Sequence, residues 1–173
     1  MKAIMISIQP KWVEKILNSE KTIEIRKTCP IRFKDLKPYE CAEPIDVYIY
    51  CTKSDIKGAR ENFTFEQLKL LGKVVAKFTL NKVREITYDS TYKMFKLNDL
   101  LQNSCLDAKQ LFSYLKGKVG YAWHISNLEI IDKTKELSEF ANIHVIEANG
   151  IKLEIGYEME RPPQSWCYVE VEE

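Results

Sequence analysis

Three charged side chains within six residues carry the first suggestion of chemistry. Lys21, Glu24 and Arg26 lie in the stretch Ser19 to Lys27, S-E-K-T-I-E-I-R-K. Read as a strand over 21–27, alternation puts Thr22, Glu24 and Arg26 on one face and Ile23 and Ile25 on the other. An acid and a guanidinium two residues apart on one face are neighbours. Arg26 offers a planar fork for a phosphate or a base edge. Glu24 can orient that fork or accept from a base amino group. Lys21 adds a cation where the strand begins, and a turn or bulge there must bring it to Glu24. Such a row would bind a nucleotide-like or otherwise anionic ligand. The structural alternative is an exposed edge strand whose charges discourage aggregation. Spacing alone leaves both open.

A second candidate is Arg161 to Trp166, R-P-P-Q-S-W. Two prolines stiffen a loop that presents Gln164, Ser165 and Trp166 in quick succession. An amide, a hydroxyl and an aromatic plane suit a planar heterocycle. Equally, Trp166 can pack in a core while the prolines only fix a turn. In G-Y-A-W-H-I, alternation sets Tyr121, Trp123 and Ile125 against Ala122 and His124, and core aromatics are the plainer reading. The chain has no Walker loop, no GxGxxG, no HExxH and no GxSxG. His124 and His144 sit on separate segments. No cofactor and no metal is expected.

The elements that must position these groups fit one domain of 173 residues, 45% of them apolar, enough for a real core. Cys29, Cys41, Cys51, Cys105 and Cys167 are odd in number and contain no CxxC pair. That spacing suits reduced thiols and not a zinc site or a disulfide framework. MKAIMISIQPKW lacks the long apolar region of a signal peptide, and no apolar run reaches membrane-spanning length. The reading is a cytoplasmic protein. Residues 136–173 carry nine acids against Lys152 and Arg161, a balance of −7, and the overall +1 leaves +8 on the rest. A basic body with an acidic C-terminal part suits a local anion-binding surface. The acidic part, near Asn149-Gly150, offers a surface for a protein partner.

Taken in order, strands are expected at 3–8, 21–27, 45–51 and 73–86, at 120–125 and 128–133 around a Ser126-Asn127 turn, and at 167–171. Pro10 suits the first position of a helix ending near Asn18, with Trp12, Val13, Ile16 and Leu17 on its buried side. Residues 28–43 read as a long loop with a basic edge from Arg32, Lys34 and Lys37. Thr64 and Gln67 make a capping box for a helix stopped by Gly72. Asp107 to Leu115 reads as a helix within a helical insertion about 88–117. Asn149-Gly150, between V-I-E-A and I-K-L-E-I, predicts a hairpin. Ser138 to Glu147 is ambiguous. Short strands without a βαβ rhythm argue for a small barrel or a strongly curved sheet.

With these pieces in place, the chain resembles an ASCH domain (activating signal cointegrator homology), a branch of the PUA-like barrels. The stretch I-S-I-Q-P-K-W-V-E-K-I-L-N-S-E-K-T-I-E-I-R-K is similar to the family's strand, helix and G-x-K-x-x-E-x-R motif. Lys21, Glu24 and Arg26 fill its charged positions, and Ser19 stands where the family usually has Gly. V-Y-I-Y-C-T-K and R-P-P-Q-S-W-C-Y-V resemble small phage and prophage ASCH proteins. The resemblance implies an α+β, PUA-like mixed β-barrel with flanking helices, formed by 1–173 as a single domain. It implies a cleft beside the first helix that binds single-stranded RNA, a nucleotide or a nucleoside through Lys21, Thr22, Glu24, Arg26, Gln164, Ser165 and Trp166. One alternative is a small amidohydrolase acting on an acetylated cytidine-like nucleoside, with Lys21 catalytic. There Glu24 occupies the position of that branch's threonine, and Lys21 would have to lose its proton to act as base or nucleophile. The other alternative is a protein-interaction module.

Overall fold

The computed structural model describes residues 1–30, 41–53, 64–89, 94–95, 98–148 and 151–171. Its strands are β1 (Lys2–Ile8), β2 (Ile23–Arg26), β3 (Cys41–Cys51), β4 (Val74–Ile86), β5 (Tyr88–Asp89), β6 (Met94–Phe95), β7 (Gly120–His124), β8 (Ser126–Lys135), β9 (Phe140–Ala148), β10 (Ile151–Glu158) and β11 (Trp166–Val171). The helices are α1 (Pro10–Leu17), α2 (Phe65–Leu70), α3 (Asn98–Ser104) and α4 (Ala108–Leu115), with a 3-10 turn at Leu137–Glu139. The chain forms two compact units, and β4 contributes its first residues to one and its last to the other.

The first unit comprises residues 1–14, 45–78 and 128–173. Its strands follow the order β10-β9-β11-β1-β3-β4, and β8 also pairs with β4. β1 runs parallel to β3, Ile4 opposite Val47 through Ile8 opposite Cys51. It runs antiparallel to β11, Lys2 opposite Glu170 through Ile6 opposite Trp166. Ala3, Ile4, Met5 and Ile6 are all fully buried, so β1 is covered on both faces, which accounts for the unbroken run A-I-M-I-S-I. Ala3, Met5, Tyr48, Tyr50, Phe140, Val169 and Val171 make this unit's core. Tyr48 meets Phe140 edge-on at 5.0 Å. Thr64 caps α2 with Gln67 as its reciprocal partner, the expected capping box.

The second unit comprises residues 15–44 and 79–127. Here β7 lies between β4 and β2. Ile23 pairs with His124 and Arg26 with Tyr121, while Val83 pairs with Trp123 on the other side. Ile23 and Ile25 enter a core with Ile86, Ala122 and the helix residues Leu100, Leu111 and Leu115. Asp107 caps α4 through the Gln110 amide, and Lys116 in the left-handed region ends it.

Several boundaries depart from expectation. β2 is shorter than 21–27, because Lys21 and Thr22 turn into the strand. β3 begins at Cys41, so part of the expected 28–43 loop is strand and passes through Pro44. Its residues 31–40 lie outside the described part. The break after β7 falls at Ile125, and the expected turn residues Ser126 and Asn127 are already in β8, where Asn127 takes a φ of 47°. The ambiguous 138–147 stretch is mostly β9. Ala148 pairs with Ile151, as the hairpin requires, and the Asn149-Gly150 connection itself lies outside the described residues. Among the described residues the pairings make open sheet with helices, mixed in the first unit and antiparallel in the second, an α+β arrangement, and they do not close into a barrel.

The turn after α1 sets up β2. Ser19 N–H donates to Ile16 O and Glu20 N–H to Lys15 O, each at 2.9 Å. This 5→2 and 6→1 pair is a Schellman motif, with Ser19 left-handed at φ 59°. A side chain there costs about 1 kcal/mol. Ser19→Gly should therefore raise stability by about 0.5–1 kcal/mol and the melting temperature by about 1–4 °C. Ser19→Val should lower both, and thermal denaturation of the three proteins measures the difference.

Candidate ligand-binding site

All four residues of β2 are buried. Lys21, Glu24 and Arg26 are 3%, 8% and 7% exposed. Burial on this scale excludes the exposed-edge alternative. Glu24 holds both cations. Its Oε2 lies 3.2 Å from Lys21 Nζ and its Oε1 lies 3.1 Å from Arg26 Nε. Alternation explains the Glu24–Arg26 half, since Ile23 and Ile25 occupy the opposite, core face. The turn at Lys21 explains the other half.

Lys21 has two further acceptors. Its ammonium donates to Ile23 O at 2.8 Å and to Ser104 O at 2.9 Å. Ser104 is the last residue of α3, whose terminal carbonyls lack intrahelical partners and favour a cation. Thr22 N–H donates to the neighbouring Asn103 O at 2.9 Å, and Ile125 N–H donates to Thr22 O at 2.9 Å. The turn into β2 is thus tied to α3 on one side and to β7's end on the other. Three N–H bonds on the ammonium meet three acceptors.

Paired residues of an antiparallel ladder share a face, so the charged row lies beside Trp123, opposite Glu24, and Tyr121, opposite Arg26. Trp123 is fully buried, and its indole N–H donates to Thr28 O at 3.3 Å, fixing the chain as it leaves β2. Tyr121 is half-buried. Burial pushes its phenol up, with Cys29 and Glu85 adding to the shift. Tyr114 on α4 presents an exposed ring with the Lys27 ammonium 4.9 Å from its centre. Burial also pushes the Tyr114 phenol up, while Arg26 acts in the opposite direction.

A second polar group sits on the other face of the same sheet. Arg84 Nε donates to His124 Nε2 at 3.1 Å, and its Nη2 donates to Asp99 at 2.8 Å. Burial, then the charges of Arg84 and Lys82, push His124 down to about 4. The imidazole is neutral at pH 7, with Nε2 as acceptor and the proton on Nδ1.

No family model and no curated protein matches the sequence. Solved structures do match the fold. A crystal structure of ASCH from Zymomonas mobilis is 18% identical, with a TM-score of 0.57, over 97% of this chain and 87% of that one. A tyrosine-to-phenylalanine mutant of the same organism's protein gives 18% and 0.57, over 98% and 91%. A serine-to-alanine mutant gives 16% and 0.59, over 97% and 88%. The fold is the ASCH fold.

On this ASCH framework the structure brings Lys21, Glu24 and Arg26 together in the second unit. Thr22 is adjacent and its side chain is exposed. Gln164, Ser165 and Trp166 belong to the first unit. There Ser7 secures their loop, its hydroxyl donating to Pro163 O at 2.6 Å and its N–H donating to Ser165 O at 3.0 Å. Gln164 is exposed, and the half-buried Trp166 packs edge-on to Tyr168 at 5.6 Å. Cys29, Cys51, Cys105 and Cys167 are free thiols. Burial pushes Cys51 up to about 12 and Cys167 up to about 11, so both stay protonated. Among the described residues no group of three or more His, Cys, Asp or Glu side chains is gathered to hold a metal.

Ser104, Tyr114 and the Arg84–His124–Asp99 group were missed in the sequence. The first acts through a backbone carbonyl and gives no residue signal. The others come from segments whose order in the chain says nothing of their meeting. The folded pKa of the His124 imidazole lies below the ordinary 6.5. Its contribution is fully present above 6.5 and is lost as pH falls toward about 4, because the unfolded chain takes up the proton first. The stability difference between the parent and His124→Phe should therefore change across that window and be flat above it. Denaturant titrations at pH 7.5 and about 4.5 measure it.

Proposed function

We infer that this chain binds single-stranded RNA or a nucleotide through the charged row on β2 and the surface groups beside it. The observation that carries the reading is the buried Lys21–Glu24–Arg26 triad. Burying three charges costs desolvation energy, and well-packed apolar residues would serve stability as well or better. A row of charged groups gathered on a buried strand face is better accounted for by a ligand that uses them than by stability alone. In this reading Glu24 orients Arg26, and Arg26 presents positive charge to a phosphate or base edge. Lys27 supplies an exposed cation and Tyr114 an exposed ring, a pairing suited to a phosphate beside a stacked base. Gln164, Ser165 and Trp166 offer polar and aromatic groups of their own for a base. The +8 balance outside the C-terminal part favours the approach of an anion.

Fluorescence anisotropy of a labelled oligouridylate tests this reading at about 50 and 200 mM salt. The parent should bind, more weakly at the higher salt. Lys27→Ala and Arg26→Ala should each weaken binding and flatten its salt slope by about 0.7. Lys27 is exposed, so its substitution leaves folding intact and keeps the test decisive. Unchanged affinity in both variants, or no binding by the parent, removes the proposal.

In the same reading Lys21 is a binding and positioning group and not a nucleophile. Its ammonium serves the Ile23 and Ser104 carbonyls and the Glu24 carboxylate together. Acetylated cytidine incubated with the purified protein should stay intact. Turnover that disappears in Lys21→Ala would replace binding with the hydrolase alternative.

A further inference from the structure

The hairpin of β9 and β10 leaves an apolar face uncovered. Ile151, Leu153, Ile155 and Tyr157 alternate along one face of β10 and pair with Ala148, Ile146, His144 and Asn142 of β9. Ile151 is 62% exposed, Leu153 51% and Tyr157 52%, and Ile146 and Ile155 are also exposed. The other face of β10 carries Lys152, Glu154, Gly156 and Glu158. Among the described residues β9 is paired to β11 through Phe140, Ala141 and Asn142. β10 is the terminal strand of its sheet among the described residues, so its outer edge is open there. A long apolar strand at an open edge is a template for another strand.

The charge pattern of β10 says which strand. In an antiparallel pairing about a two-fold axis, keeping the two apolar faces together restricts where the axis can fall. Centred on Lys152 or Glu154, the pairing sets that residue against its own copy, and centred on Gly156 it sets Glu154 against Glu158. Centred on Ile155, it sets Lys152 opposite Glu158 but leaves Glu154 opposite Gly156, which has no side chain to meet it. Centred on Leu153, it sets Lys152 opposite Glu154 twice, once in each direction. Ile151 then faces Ile155, and Leu153 faces its own copy. Opposite charges and paired apolar side chains are the favourable cross-strand combinations. We propose that β10 is a self-complementary edge through which two copies of this chain pair antiparallel about Leu153, joining their sheets into one.

Such an interface is isologous, and each Lys152 serves the partner subunit while Glu147 faces it within its own hairpin. Glu154 is ion-paired with Lys2 of its own chain at an exposed position, which costs little to share.

Sedimentation of the full chain over a range of concentrations should show a monomer–dimer equilibrium. Lys152→Glu and Glu154→Lys each set like charges opposite one another across the axis. Each should weaken the dimer about tenfold. An equimolar mixture of these two variants should restore dimerisation, because every opposed pair is then complementary. The double variant Lys152→Glu/Glu154→Lys should dimerise by itself, which keeps the test open if either single variant folds poorly. A parent that stays monomeric, single variants that dimerise like the parent, or a mixture no tighter than its components would each overturn the proposal.

Discussion

The Glu24 carboxylate is the point on which the second unit depends. It is buried, and it holds Lys21 with one oxygen and Arg26 with the other. Neither cation would be tolerated in that position without it. Removing one member of a buried ion pair costs about 3–5 kcal/mol, because the remaining charge keeps its desolvation penalty and loses its partner. The surroundings are arranged to satisfy what the carboxylate leaves over. Two carbonyls take the rest of the Lys21 ammonium, and one of them ends α3. The charge is thereby joined to a helix terminus that needed a donor.

β2 can carry this group because four residues serve two opposite purposes. Ile23 and Ile25 bind the strand to the core beneath α3 and α4. Glu24 and Arg26 face the other way, beside Trp123 and Tyr121 of β7. The indole N–H closes the arrangement by holding Thr28 O after the strand. Two turns bring Lys21 and its acceptors together. The Schellman motif after α1 delivers Lys21 to its acceptors, and the left-handed Cys105 (φ 56°) ends α3 where its last carbonyl can receive them.

The first unit presents the opposite situation at β10. Where the charged row is buried around Glu24, the β9–β10 hairpin carries exposed apolar side chains on one face. Pairing at that edge would satisfy its open backbone groups and bring apolar side chains of two copies into cross-strand contact. The alternation of Lys152 and Glu154 between them gives the edge a preferred register.

The sequence by itself determined the local elements whose cause is local. Short apolar runs rich in β-formers specified β1, β3, β4 and β11. Pro10 and the Thr64–Gln67 capping box specified α1 and α2, and V-I-E-A-N-G-I-K-L-E-I specified the β9–β10 hairpin. It also placed Glu24 and Arg26 on one face and singled out Lys21, because strand alternation depends only on neighbours. Tertiary structure decided the rest. Burial of the triad depends on α3, α4 and β7, which are remote in the chain. The same holds for the Ser104 carbonyl under Lys21 and for the Arg84–His124–Asp99 group on the opposite face. A carbonyl's availability depends on where a helix ends, and a histidine's charge depends on what surrounds it. Neither is a property of the residue type, so only the assembled fold fixes them.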